Sequence, residues 1–203
     1  ERRKMGFPMA VALVVVLGSL LVVWARTDRE ATSAPRVGEH WHSAYDIYVC
    51  DSYRSKILLE TDPNGIHSHG DGLLHIHPFN KLASGRDATL GEFFSAFGGH
   101  IDDATLVLDT GEELVEGADC GGQPMVLKVA RFDADDMERD PEIVTEDPAG
   151  VRFLKNREAF TIAMVPADVD PPAPRPERLT FLDLVSPYAL TSDPSAPAPT
   201  TSE

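Results

Sequence analysis

GIHSHGDGLLHIHP, residues 65–78, places His67, His69, His75 and His77 at odd positions on either side of Gly70-Asp71-Gly72. Two short apolar-and-histidine runs around a glycine-rich centre read as a β-hairpin. Residues two apart on a strand point to the same face, so each His-x-His pair can aim both rings at one point. The length of the loop decides the rest. A three-residue loop, Gly70–Gly72, pairs His67 with His75 and puts all four imidazoles on one face. A two-residue loop, Asp71-Gly72, pairs His67 with Ile76 and splits them. Gly72 suits the left-handed last position of the longer loop, and Asp-Gly suits the shorter turn. Both registers stay open on sequence grounds.

A third pair, His40 and His42, opens the preceding segment. Trp41, Tyr45, Ile47, Tyr48 and Val49 are strand formers, so a strand is expected over Trp41–Cys50. Asp46 and Tyr48 share the parity of His40 and His42. All seven histidines of the chain fall between His40 and His100. Imidazole is the commonest neutral metal ligand and the side chain that titrates near neutral pH. The candidate metal ligands are therefore His67, His69, His75, His77, His40 and His42, and the expected ion is Zn or Cu. Asp46 and Asp71 are candidate carboxylates behind the ligands, fixing an imidazole tautomer. Three histidines with an open position would suit hydrolytic or oxygen chemistry. A closed set of four would suit a structural or storage role. The plainer alternatives are a hydrogen-bonded histidine cluster and a pH-sensitive surface on which the rings charge together.

Working outward, residues 7–24 read FPMAVALVVVLGSLLVVW, 18 residues without a charge, behind Arg2, Arg3 and Lys4. That pattern predicts a single transmembrane helix with its N-terminus in the cytoplasm. A cleaved leader is the rival, with Val23 and Ala25 before the cut, but the apolar run exceeds a usual signal core. The expected organisation is a cytoplasmic stub and anchor over 1–26, a linker over 27–39 and an extracytoplasmic domain over 40–170. A proline-rich, partly disordered tail over 171–203 follows Pro171, Pro172, Pro174 and Pro176. From Glu30 on, 31 acidic and 13 basic residues leave −18, which excludes a nucleic-acid partner. The expected partners are membrane lipid, through residues 7–24, and a membrane-protein complex. Outside the cytoplasm, the two cysteines, Cys50 and Cys120, are expected to form a disulfide.

Thr89-Leu-Gly-Glu92 has the form of a capping box and predicts a helix over Leu90–Phe97, ended by Gly98-Gly99, with Phe93, Phe94 and Phe97 in the core. Residues 61–65, TDPNG, read as a turn-rich joint. Further strands are expected at Ala104–Asp109, Met125–Phe132 and Ala159–Val165, with a hairpin turn at Gly111. The acidic run 133–147 lacks EF-hand spacing and reads as a solvated insertion. The fold class is thus α+β: a small, mainly antiparallel sheet domain with one short helix, preceded by one transmembrane helix.

HWHSAYDIYVCD, GIHSHGDGLLHIHPF and ATLGEFFSAFG together resemble a group of membrane-anchored actinobacterial proteins with the pattern HxH, HxHxDGxxHxH and TLGxFF. The resemblance spans roughly residues 40–166. It implies membrane anchoring and no particular activity. Some members carry an acidic residue at the place of His77, which implies that metal-compatible side chains exchange there.

The leading expectation is a membrane-anchored extracytoplasmic metal-binding protein without catalysis of its own. The alternatives are an accessory structural subunit of a larger membrane complex and a metal-dependent enzyme with a His-ligated open site.

Overall fold

The computed structural model describes residues 6–31, 33–59 and 63–189, with side chains at 8–24, 33–59 and 63–185. Two units form, Glu1–Ser33 and Ala34–Glu203. The first holds helix α1, Gly6–Ala31, which runs into the segment expected as a linker. Its described side chains are exposed, Leu13, Val14, Leu17 and Leu21 among them. Among the described residues no helix is long and apolar enough to cross a membrane, so the expected transmembrane helix is unsupported there.

The second unit is an α+β domain. Its strands are β1 (Trp41–Val49), β2 (Ser52–Tyr53), β3 (Ile66–His67), β4 (Leu73–Ile76), β5 (His100–Ile101), β6 (Thr105–Val107), β7 (Glu113–Val115), β8 (Asp119–Cys120), β9 (Gln123–Asp133), β10 (Glu142–Val144) and β11 (Glu158–Pro166). The main sheet runs β10-β9-β11-β1-β4-β3, with β2 on β1 and β8 on β9, while β5-β6-β7 form a small second sheet. Pairing is antiparallel throughout except for β1 with β11. Every residue of β11 is buried, as befits a strand covered on both faces.

Alternation along β1 sorts the faces. Tyr45, Ile47 and Val49 join Ile66, Leu74, Ile76, Phe93, Phe94, Phe153 and Phe160 in the larger core. Burying each of these side chains stabilises the fold by about 1.5–3 kcal/mol. The Tyr45 hydroxyl accepts a hydrogen bond from the Ile57 N–H at 2.8 Å and lies 3.2 Å from Ser68 Oγ. It thereby holds the chain on either side of β3 against β1, and burial pushes its phenol up to about 12.

Helix α2, Leu90–Ala96, starts where the threonine cap implies, with Thr89 Oγ1 accepting from the Glu92 N–H. Glu92 does not close the box. Its carboxylate instead accepts from Asn64 Nδ2 at 2.7 Å, while Asn64 Oδ1 accepts from the Ile66 N–H. That link positions the start of β3. The TDPNG joint lies partly outside the described residues, which exclude 60–62.

Two expectations are corrected. Among the described residues there are three α-helices, where one short helix beside an anchor was expected. The segment expected as a tail contains α3, Pro176–Ala189, whose Leu182 packs with Ala44, Leu73, Ala130, Phe132 and Ala159 on the second face of the sheet. Proline at the first helical position initiates this helix, because its missing N–H would have no helical partner there. Residues 190–203 lie outside the described residues. The acidic run stays exposed or half-buried, as expected of a solvated insertion, and is tied to the domain as well: β10 pairs with β9, and Asp133 and Asp135 pair with Lys155 and Arg157.

Candidate metal centre

The histidines occupy the second sheet face at the end that α3 leaves uncovered by its Leu182 cluster. In β3–β4, His67 lies opposite His75, the register of the three-residue loop. In β4–β1, His75 lies opposite His42. His42, His75 and His67 therefore form one row across three strands. The same register puts His40 opposite His77, with ring centres 5.1 Å apart. His69 lies one row further and bridges Leu58.

Glycine makes room for this. Gly65 has φ +90, and a Cβ there would collide with the backbone carbonyl of His77. Its carbonyl accepts the His77 N–H at 2.7 Å, holding the outer row in place. Gly72, at φ +86, ends the loop in the left-handed region, where a side chain would also meet Arg178.

Among the described residues one triad is tight enough for an ion. His40, His42 and His75 each offer a ligand atom, and these atoms lie within 4.8 Å of one another. His40 Nε2 and His42 Nδ1 are buried and have no hydrogen-bond partner among the described residues. Buried polar atoms are nearly always satisfied, so such orphans call for an explanation. Burial, followed by the neighbouring His75 and His40, lowers the pKa of His42 to about 3, and burial and His77 also lower that of His40. Both rings are thus neutral at physiological pH, the form that binds metals.

Asp71 orients the third ring. Its Oδ2 lies 2.8 Å from His75 Nε2, and its Oδ1 accepts the Leu73 N–H at 2.9 Å. Burial pushes the Asp71 carboxyl up, but the hydrogen bonds from His75 and Leu73 outweigh it and hold it below the usual range. A carboxylate on Nε2 fixes the proton there and leaves Nδ1 as the donor to an ion. The backbone of His42 is pinned as well: its N–H donates to Asn156 Oδ1 at 2.8 Å and its carbonyl accepts the Arg157 N–H.

The other expected residues are distributed as follows. His67 Nε2 and His69 Nε2 lie 3.0 Å apart, with ring centres at 4.6 Å. His77 stands between His40 and His67. Asp46 is no partner of the histidines, contrary to expectation. Arg175 and Arg178 both bind its carboxylate, which is 2% exposed as a residue. His100 stands apart, exposed and bonded to Asp102. Cys50 and Cys120 are joined in a disulfide, with Cα atoms 5.6 Å apart. Sequence reasoning missed Arg175, Arg178, Asn156 and Asn64. A paired Arg-x-x-Arg in the proline-flanked segment was the one signal for the first two.

Compared with protein-family models, with curated proteins and with solved structures, the chain matches none.

Proposed function

We propose that this protein binds a zinc or copper ion through His40, His42 and His75, without catalysis of its own, on the outer side of a membrane to which residues 7–24 anchor it. The observation that carries the metal reading is the convergence of three ligand atoms within 4.8 Å, two of them from rings with orphaned buried nitrogens. Asp71 behind His75 adds the carboxylate that ligating imidazoles usually have. A cleft of about 530 Å³ does exist, lined by Arg131, Lys155 and Glu158, but no histidine lines it. The disulfide supports an oxidising compartment. The exposed apolar side chains of α1 and the basic flank support the anchor. The patterned likeness to membrane-anchored actinobacterial proteins agrees with both.

The test is metal titration of the purified protein. Wild type should take a first equivalent of zinc or copper tightly. His42→Ala should lose that equivalent while keeping the disulfide and the β-rich circular dichroism spectrum. Wild-type protein that stays metal-free at micromolar zinc and copper overturns the proposal.

A further inference from the structure

One ion does not account for the whole cluster. The six imidazoles stand on three strands, and neighbouring strands are about 4.8 Å apart, so the cluster is about 10 Å wide. A metal–imidazole bond is about 2.0–2.1 Å long. An ion at the β1–β4 seam, among His40, His42 and His75, is therefore out of reach of the β3 edge. Yet at that edge His67 and His69 close on each other, with ring centres 4.6 Å apart. Imidazoles sharing one ion have ring centres about 4.5 to 5.2 Å apart for bond angles between square and tetrahedral.

The nitrogens themselves are more telling. His67 Nε2 and His69 Nε2 are 3.0 Å apart. Two nitrogens bound to one ion at right angles stand about 2.9 Å apart, and at the tetrahedral angle about 3.3 Å. The spacing is thus that of two adjacent ligands in a tetragonal shell, the geometry preferred by Cu(II) with nitrogen and oxygen donors. His67 is buried and holds its place in the row, whereas His69, just before the loop, is exposed. Solvent can complete the shell on the open side.

We infer that the cluster holds a second divalent ion, of the cupric type, at His67 and His69, more weakly than the first and open to solvent. The inference rests on the metal-binding reading of the histidine face. His75 stands between the two positions, with Asp71 on its Nε2, so the two ions are neighbours across one ring. The open position is the one an ion from solution reaches first.

The experiment is a titration of the full chain in detergent with Cu(II), followed by calorimetry and electron paramagnetic resonance. Wild type should bind two equivalents, the second at least tenfold more weakly, and the spectrum should broaden between one and two equivalents as neighbouring Cu(II) ions couple. His69→Ala should bind one equivalent, tightly, with the unbroadened spectrum of an isolated ion. His42→Ala should keep the weaker equivalent and lose the tight one. Wild type that saturates at one equivalent overturns the second site and leaves the first standing, and the 3.0 Å contact is then an N–H···N hydrogen bond. Two equivalents that persist in His69→Ala also overturn it. No binding at all, with intact folding, removes both the second site and the proposed function.

Discussion

Two polar clusters share the second face of the main sheet, and they are built on opposite terms. Around Asp46 every charge has its partner. Arg175 Nη2 reaches Oδ1 at 2.6 Å, the Arg175 N–H reaches Oδ2 at 2.9 Å, and Arg178 Nε reaches Oδ1 at 3.1 Å. Four residues along the same strand, at His42, buried nitrogen is left without a partner among the described residues. A cluster that serves the fold closes its own hydrogen bonds, because an open buried group costs about 1–3 kcal/mol. A cluster that serves a ligand leaves them open toward the place the ligand takes. The difference lies in what the chain supplies. α3 returns over the sheet to bring two guanidiniums to Asp46, and nothing in the described residues returns in the same way to the imidazoles.

The largest effect should come from breaking the closed cluster. Asp46→Ala leaves Arg175 and Arg178 facing each other without their shared carboxylate. Removing one partner of a buried ion pair costs about 3–5 kcal/mol. Urea unfolding should show that loss, and α3 should become the first segment to exchange its amide protons. Metal affinity should change little, since Asp46 touches none of the histidines. A loss below about 1 kcal/mol would show that α3 is held by Leu182 packing alone and that the ion cluster is incidental. A large fall in metal affinity would erase the distinction between the clusters.

Opening the other cluster further should act on binding instead. Asp71→Asn keeps the shape of the loop and an oxygen for the Leu73 N–H, but it removes the charge that fixes the His75 tautomer. Loss of a carboxylate behind a ligating histidine typically costs 10–100-fold in metal affinity. Calorimetric titration of the variant should show a fall in that range for the first equivalent, with an unfolding midpoint close to wild type. Unchanged affinity would place the ion elsewhere than on His75 Nδ1.

The sequence made the second cluster far more legible than the first. Strand parity is a local property, so the shared face of His67, His69, His75 and His77 needed only the loop length, which the sequence left open and the pairing of His67 with His75 settles. β1 and α2 were equally local: branched and aromatic residues mark one, a threonine cap the other. Glu92 shows where locality stops, since its carboxylate goes to Asn64, 28 residues away, instead of back to the cap. Asp46 shows it more sharply. Its parity grouped it with His40 and His42, but its partners lie 129 and 132 residues on. The prolines at 171–176 read as the end of the domain, when they in fact lead into a helix that covers the sheet. Nothing in the period or composition of Pro176–Ala189 announces which face it packs on.

The smallest effect expected is also the one that separates the two clusters by proton alone. His42 titrates at about 3 in the folded, metal-free protein, against 6.5 for the free side chain, because burial and the neighbouring rings oppose its charge. His40 is shifted in the same direction. The unfolded chain takes up these protons near pH 6.5 and the folded chain does not. The unfolded state therefore binds more protons below that pH, and stability falls as the pH falls. The contribution is fully present above pH 6.5 and is lost progressively between about 6.5 and 3. Asp71 faces the cluster and opposes the shift at His42, without reversing it. The urea midpoint of metal-free wild type should thus drop between pH 7 and pH 5, and His42→Asn should drop less. Bound zinc should flatten the curve above the pH at which protons displace it. Asp46→Ala, less stable throughout, should keep the wild-type slope, since the perturbed groups of the two clusters do not touch and their effects should add. A wild-type midpoint that rises on acidification would mean that the rings gain charge together in the folded state, and that the open cluster is a proton site before it is a metal site.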